Sequence, residues 1–186
     1  MYLIALFPAR HYDIDNFPAI KEYLENAEWD NEIPRGHGKL VLEQTGKTHI
    51  VEGKKIKSRK PTSNKWFEIQ DSIGYWDDFS KQKIVWADIA TEPTFVLMNE
   101  HTFFNNTCYM ITGAPTGLVD ILNSKLVGWY FPKIATDIGN GGARYFKQFV
   151  ELLQIPKTIE NRNYTDQEVF DIYRLSEEEI GFIESQ

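Results

Sequence analysis

Short apolar runs separated by turn residues dominate the chain as far as residue 112. Each run has the length of a strand and is bounded by glycine, proline or small polar residues. The predicted strands cover residues 3–7, 40–43, 49–52, 83–89, 94–98 and 103–112. The second and third flank residues 44–47 (QTGK) and are expected to form a hairpin. One helix is predicted over residues 19–26, where Pro18 suits the first turn because its missing N–H costs nothing there.

From residue 118 onwards the spacing of apolar residues becomes helical. Apolar side chains recur every three or four positions over residues 118–129 and 145–153, which predicts two amphipathic helices. Pro132 is expected to end the first of them, since proline breaks helix interiors. Two capping boxes, one starting at Thr165 and one at Ser176, predict two short acidic helices in the tail.

Strands followed by helices are typical of the α+β class. We therefore predict short strands in a mixed or antiparallel sheet, followed by packed helices. The chain has 186 residues, which fits one domain or a domain with a small appendage. We expect one domain over residues 1–160 and a short acidic helical tail packed on it over residues 161–186.

Composition excludes two classes of protein. Cys108 is the only cysteine, so no intramolecular disulfide can form and a bridged secreted scaffold is excluded. No apolar stretch approaches the roughly 20 residues that a membrane helix needs. An aromatic content of 14% requires a sizeable core. We predict a soluble, cytoplasmic protein without a membrane partner, in which Cys108 is a buried thiol.

Charge is distributed unevenly along the chain. The net charge is −7, and both ends are acidic, yet residues 53–67 carry six basic side chains and no acid. We call these fifteen residues the basic segment. Such a segment can bind phosphates while the remaining surface repels them. A solvated lysine-rich loop explains the same charges equally well.

The usual catalytic motifs are missing from the sequence. The four histidines have no metal-ligand spacing, and no CxxC, GxSxG or Walker loop occurs, so no catalytic or metal-binding residue is predicted. Glu52 and Lys54 resemble half of a metal-dependent nuclease site, which also needs an acid such as Asp30. Tripeptides of this kind arise often by chance. Residues 139–142 (GNGG) are expected to form a flexible loop whose backbone can approach a phosphate.

Seven segments, taken in order, resemble the TaqI-like C-terminal specificity domain of type IIG restriction–modification enzymes and adenine-N6 DNA methyltransferases. Their order and spacing over most of the chain carry the resemblance. The segments are 15–24 (DNFPAIKEYL), 58–68 (SRKPTSNKWFE), 83–86 (KIVW), 104–107 (FNNT), 121–126 (ILNSKL), 153–156 (LQIP) and 172–179 (IYRLSEEE).

The resemblance implies a target-recognition role on double-stranded DNA. It implies no catalysis within this chain, because the methyltransferase motifs are missing. A parent enzyme would flip an adenine out of the stack and methylate it in another domain. S-adenosylmethionine and Mg²⁺ are accordingly expected in methyltransferase or endonuclease domains of the same or a partner polypeptide. Since Met1 directly precedes the first predicted strand, we expect either an excised C-terminal piece or a separate specificity subunit.

A recognition domain needs phosphate contacts for position and base contacts for specificity. The candidates for DNA binding are Lys54, Lys55, Lys57, Arg59, Lys60, Thr62, Ser63, Asn64, Lys65, Lys83 and Arg144. The lysines suit phosphates, Arg59 can also fork onto guanine, and Asn64 suits adenine. Lys83 and Arg144 rest on the resemblance alone. The alternative function is a protein-docking domain in which the acidic helices form the working surface.

Overall fold

The computed structural model describes residues 3–186, which form two compact units divided between Gly74 and Tyr75. From residue 3 onwards, the first unit has two α-helices and one hairpin. Its elements are α1 (Pro18–Asn26), α2 (Gly38–Leu42), β1 (Thr48–Val51) and β2 (Lys54–Lys57). Single 3-10 turns at Pro8–Arg10 and Ile14–Asn16 precede them. Pro18 stands at the start of α1, as its sequence position predicts.

A close contact between α1 and α2 fixes the first unit. A Cβ atom at Gly38 would stand 2.0 Å from the carbonyl oxygen of Leu24, so only glycine fits there. A small apolar core of Leu6, Ile14 and Phe67 lies in the same unit. This core is too small to hold the unit alone, and polar contacts described below supplement it.

Two predictions in this unit are wrong. Residues 3–7 form no strand: Leu3 is 59% exposed, the Leu6 carbonyl accepts from the Ile69 N–H at 2.9 Å, and the Phe7 carbonyl accepts from the Arg10 N–H at 3.0 Å in a turn. Residues 40–43 belong largely to α2 rather than to a hairpin, because Gly38 anchors that segment as a helix against α1. The hairpin lies one step later, between β1 and β2, so the basic segment begins as a strand.

The second unit contains two small antiparallel sheets. Their strands are β3 (Lys83–Ala87), β4 (Ile89–Ala90), β5 (Val96–Met98), β6 (Cys108–Thr112), β7 (Asp137–Gly139) and β8 (Gly142–Arg144). One sheet has the strand order β5-β3-β6 and the other β4-β8-β7. Residues 139–142 are therefore part of a hairpin rather than a loop. Asn140 and Gly141 both take left-handed φ angles in its turn.

Five helices complete the second unit. They are α3 (Leu118–Leu122), α4 (Lys125–Ile134), α5 (Lys147–Val150), α6 (Asp166–Tyr173) and α7 (Glu177–Glu184). The core is large and aromatic: the rings of Phe131 and Tyr145 stack with centroids 4.1 Å apart. The indole N–H of Trp86 donates to the backbone carbonyl of Tyr145 at 2.6 Å. These contacts join a strand, a helix and the segment after β8.

The predicted helix over 118–129 is interrupted at two polar residues. The Asn123 side chain accepts from the Phe95 N–H at 2.9 Å and donates to the Phe95 carbonyl at 2.7 Å. Ser124 then caps α4 by accepting from the Val127 N–H. Pro132 lies inside α4 instead of ending it. The helix continues because residues on both sides of Pro132, Phe131 and Ile134, pack in the core, which outweighs one lost hydrogen bond.

The remaining helical predictions had mixed outcomes. Of residues 145–153 only Lys147–Val150 is helical, because the Tyr145 N–H bonds instead to the Asp88 carbonyl at 2.8 Å. Both capping boxes of the tail are present, at the starts of α6 and α7. These two helices pack against α4 within the second unit. The α+β class is confirmed, while the functional division at residue 160 stays a prediction.

Within residues 3–186, every helix is too short or too polar to traverse a lipid bilayer.

Candidate nucleic-acid interface

The hairpin of β1 and β2 is a two-stranded ribbon with a tight turn. Glu52 and Gly53 form the turn, with φ angles of 48° and 78°. Left-handed φ angles at both turn positions match the right-handed twist of the flanking strands. The antiparallel register places Ile50 opposite Lys55 and Thr48 opposite Lys57.

The ribbon has one buried face and one exposed face, since side chains alternate along a strand. Ile56 is 2% exposed and turns towards the interior of the unit. The exposed face consists of Thr48, Ile50, Lys55 and Lys57, and we call it the outer ribbon face. Two ammonium groups therefore lie on one side of a short, twisted ribbon.

Lys47 adds a third charge beside the ribbon. It directly precedes β1 and is exposed, and its carbonyl accepts from the Ser58 N–H at 2.9 Å. Within residues 3–186, no hydrogen bond or ion pair engages the ammonium groups of Lys47, Lys55 and Lys57. These three cations are thus available to an anionic partner.

A buried polar network holds the chain that follows the ribbon. Gln44 and Glu68 are 6% and 4% exposed. The Gln44 amide donates to the carbonyls of Lys65 at 3.1 Å and Glu68 at 2.9 Å, and it accepts from the Thr62 hydroxyl. The Glu68 carboxylate accepts from the Lys65 N–H at 2.7 Å. Buried polar groups must be paired, so this network fixes the backbone between residues 58 and 70.

Three predicted DNA contacts belong to this network. The Arg59 guanidinium donates to the Glu68 carbonyl at 3.2 Å, and burial lowers the pKa of Arg59 from its ordinary value. Thr62 binds Gln44, and the Asn64 amide donates to the Ile69 carbonyl at 3.0 Å. These side chains support the backbone of the basic segment. Ser63 lies between them and is exposed.

The other lysines of the basic segment have partners within the unit. Lys60 pairs with Asp71 at 2.7 Å, and both side chains are exposed. The ammonium groups of Lys54 and Lys65 donate to the carbonyls of Glu32 at 3.0 Å and Tyr12 at 2.8 Å. Exposed contacts of this kind are weak, so these lysines can exchange partners.

Lys83 and Arg144 belong to the second unit, whereas the basic segment belongs to the first. Lys83 is 1% exposed, and its ammonium donates to the carbonyls of Phe79, Lys81 and Asn99 at 3.1, 2.7 and 3.1 Å. Burial lowers its pKa from the ordinary value. A DNA contact at Lys83 stays an untested prediction, and it is disfavoured because the buried ammonium already bonds three carbonyls. Arg144 pairs with Asp88 at 3.7 Å and keeps a third of its side chain exposed.

The weaker sequence candidates gain no support. Glu52 lies at the exposed turn, and the Asp30 carboxylate accepts from the Glu32 N–H at 2.8 Å. Across residues 3–186, no three His, Cys, Asp or Glu side chains come together as metal ligands. Cys108 is half-buried at the start of β6 rather than fully buried.

Sequence reasoning missed Lys47, Thr48 and Ile50. All three lie just before the basic segment, which was delimited by charge alone. The signal is present in residues 48–57 (THIVEGKKIK). Two four-residue segments of strand length flank a Glu-Gly pair, which is the arrangement of a two-residue hairpin loop. Reading that turn would have brought both strands into the site.

Comparison with known families identifies one family over most of the chain. The model of the TaqI-like C-terminal specificity domain matches residues 21–156. The match includes the ribbon, the polar network and most of the second unit, and it stops before α6. Among curated proteins, no sequence matches the chain.

Proposed function

The chain belongs to the family of TaqI-like C-terminal specificity domains, and from that premise we propose that it recognises DNA sequence for a restriction–modification enzyme. In this proposal the chain positions duplex DNA for adenine-N6 methylation, cleavage, or both. Other domains, of the same or a partner polypeptide, carry out that chemistry with S-adenosylmethionine and Mg²⁺. The enzyme would work in the cytoplasm, as a type IIG or related system, and this chain would not catalyse by itself.

The observation that carries the proposal is the free cationic surface of the first unit. Lys47, Lys55 and Lys57 are exposed and have no ion-pair partner within residues 3–186, although the chain as a whole carries a charge of −7. An acidic protein with one cationic surface binds a polyanion in one orientation. The buried polar network also fixes the chain that directly follows the ribbon, as a positioning element requires.

The geometry ranks the predicted contacts. Lys55, Lys57 and the added Lys47 are the primary phosphate contacts. Lys54, Lys60, Lys65 and Arg144 are secondary, because each has a partner to exchange, and Ser63 can bind a phosphate with its hydroxyl. Arg59, Thr62 and Asn64 act by holding the backbone.

Binding to labelled duplexes across a salt series tests the proposal. Each lost phosphate contact lowers the slope of log K against log salt by about 0.9, because fewer counterions are released. The Lys55→Ala/Lys57→Ala variant should bind more weakly, with a slope shallower by about 2. Lys157→Ala is the matched control. Lys157 is an exposed lysine of the second unit, and its ammonium has no hydrogen bond or ion pair within residues 3–186.

Two results would contradict this assignment. An unchanged slope in the double variant moves the contact away from the ribbon. Absence of binding even at low salt would contradict the proposal that this chain recognises DNA by itself, and it would favour the protein-docking function.

A feature of the second unit favours docking as a second function. A depression of about 380 Å³ between α4 and α7 is lined by apolar residues, among them Leu126, Trp129 and Phe182, and by the acidic residues Glu178 and Glu179. Phe182 is 55% exposed. A mainly apolar surface with two carboxylates suits a protein partner better than DNA. Phe182→Asp should reduce association with a methyltransferase or endonuclease domain while leaving the salt slope on DNA unchanged.

A further inference from the structure

One of the four residues of the outer ribbon face is an isoleucine, in the cross-strand pair nearer the turn. Ile50 is 65% exposed, and the lysine opposite it, Lys55, is exposed too. The hairpin does not need Ile50 for its packing, because Ile56 fills the inner face. A partner that covers Ile50 would remove most of a large apolar side chain from water, which is favourable.

We propose that the outer ribbon face enters the major groove and that Ile50 contacts the methyl group of a thymine. This inference rests on the proposed DNA-recognition function and assigns one of its base contacts. The major groove, about 12 Å wide, admits a two-stranded ribbon without deformation of the DNA, and the minor groove is only about 6 Å wide. Thymine is the one base that presents a methyl group there, and apolar side chains contact it.

The placement of the charges fits this orientation. Lys55 and Lys57 lie on the same face as Ile50, on the neighbouring strand. Strands lie about 4.8 Å apart, so flexible lysine side chains beside a base contact reach the phosphates at the groove edge. Thr48, opposite Lys57, adds a hydroxyl that can bind a base edge or a phosphate. Ile50 is thus a specificity-determining residue, and the lysines provide sequence-independent affinity.

Replacing thymine by uracil tests the contact, because uracil lacks only the methyl group. The full chain is first used to select duplexes from a randomised pool, and binding to the selected duplex is then measured with thymine and with uracil. The wild type should bind the uracil duplex about fourfold more weakly, the effect of one buried methyl group. Ile50→Ala should bind both duplexes equally, with an unchanged salt slope.

Ile4→Ala is the matched control, since Ile4 is another exposed isoleucine of the same unit, 40% exposed and outside the ribbon. It should keep the fourfold preference. Lys55→Ala/Lys57→Ala should weaken both duplexes alike and also keep the preference.

Three results would overturn the inference. They are a selected site without thymine, equal binding of thymine and uracil by the wild type, and a preference that survives in Ile50→Ala. If the salt slope still responds to the lysines, the ribbon contacts only phosphates and the proposed function stands. If no duplex is bound at any salt concentration, the proposed function fails as well.

Discussion

The two units of this chain differ in charge and in what holds them together. Residues 1–74 contain 11 basic and 11 acidic residues and are neutral, whereas residues 75–186 contain 9 and 16 and carry the whole charge of −7. The second unit is built on a large aromatic core, and the first on a small apolar core with a buried polar network. The unit with the smaller apolar core is therefore the one that carries the exposed lysines of the ribbon that are unpaired within residues 3–186.

Two lysines show what this difference means. Lys57 is exposed on the ribbon, while Lys83 is enclosed by three carbonyls. The same kind of side chain is exposed to solvent in one unit and bonded to three backbone carbonyls in the other. Counting charges along a sequence therefore does not locate a binding surface.

The largest expected effect is on stability, at Lys83. Lys83→Ala should lower the free energy of unfolding by about 3 kcal/mol, because three carbonyls lose a charged donor in a buried place. Urea unfolding followed by tryptophan fluorescence measures this. DNA affinity of the folded variant should stay at the wild-type value. A variant as stable as wild type would show that the buried ammonium is dispensable.

The equivalent test in the first unit is Gln44→Ala. Two carbonyls and a hydroxyl lose their partner, so the free energy of unfolding should fall by about 2 kcal/mol. Amide exchange between residues 58 and 70 should accelerate, which hydrogen-exchange mass spectrometry resolves. Asn31→Ala is the control, since Asn31 is an exposed residue of the same unit whose side-chain amide makes no hydrogen bond within residues 3–186. Unchanged exchange would mean that the network does not fix this segment.

A smaller effect separates free from paired lysines. Lys57→Ala should weaken DNA binding about tenfold near 0.1 M salt, as the loss of one phosphate contact predicts. Lys60→Ala should weaken it less than threefold, because that ammonium already pairs with Asp71. Fluorescence anisotropy compares the two variants directly. Equal losses would show that total charge, rather than placement, sets affinity.

The smallest effect concerns the acidic tail. A backbone hydrogen bond from the cap residue holds the pKa of Glu168 and of Glu179 below the usual 4.5. A depressed pKa means that the caps stabilise α6 and α7 fully above about pH 4.5 and lose this effect as the pH falls through the folded-state pKa. Amide exchange in these helices should rise in acid. In the Thr165→Ala/Ser176→Ala variant, amide exchange should depend less on pH. If exchange still rises in acid as in the wild type, groups other than the two caps cause the pH dependence.

The elements predicted correctly depend on neighbours in sequence. Pro18 at the start of α1 and both capping boxes involve residues within one helical turn, so the sequence contains all the partners. The predicted hairpin wrongly included residues 40–43, because the contact that makes them helical is not local in sequence. That contact joins Gly38 of α2 to Leu24 of α1, 14 residues earlier in the chain. The break at Asn123 was missed for the same reason, since its partner Phe95 lies 28 residues away.

The sequence by itself determined the α+β class, the family and the segment in which the cations concentrate. These properties follow from residue types, local spacing and ordered motifs. Only the tertiary structure decided which cations are free, because burial and pairing depend on residues far apart in the chain. It enclosed Lys83, joined Arg59 and Asn64 to a polar network, and left Lys55 and Lys57 exposed beside Ile50 on one ribbon face.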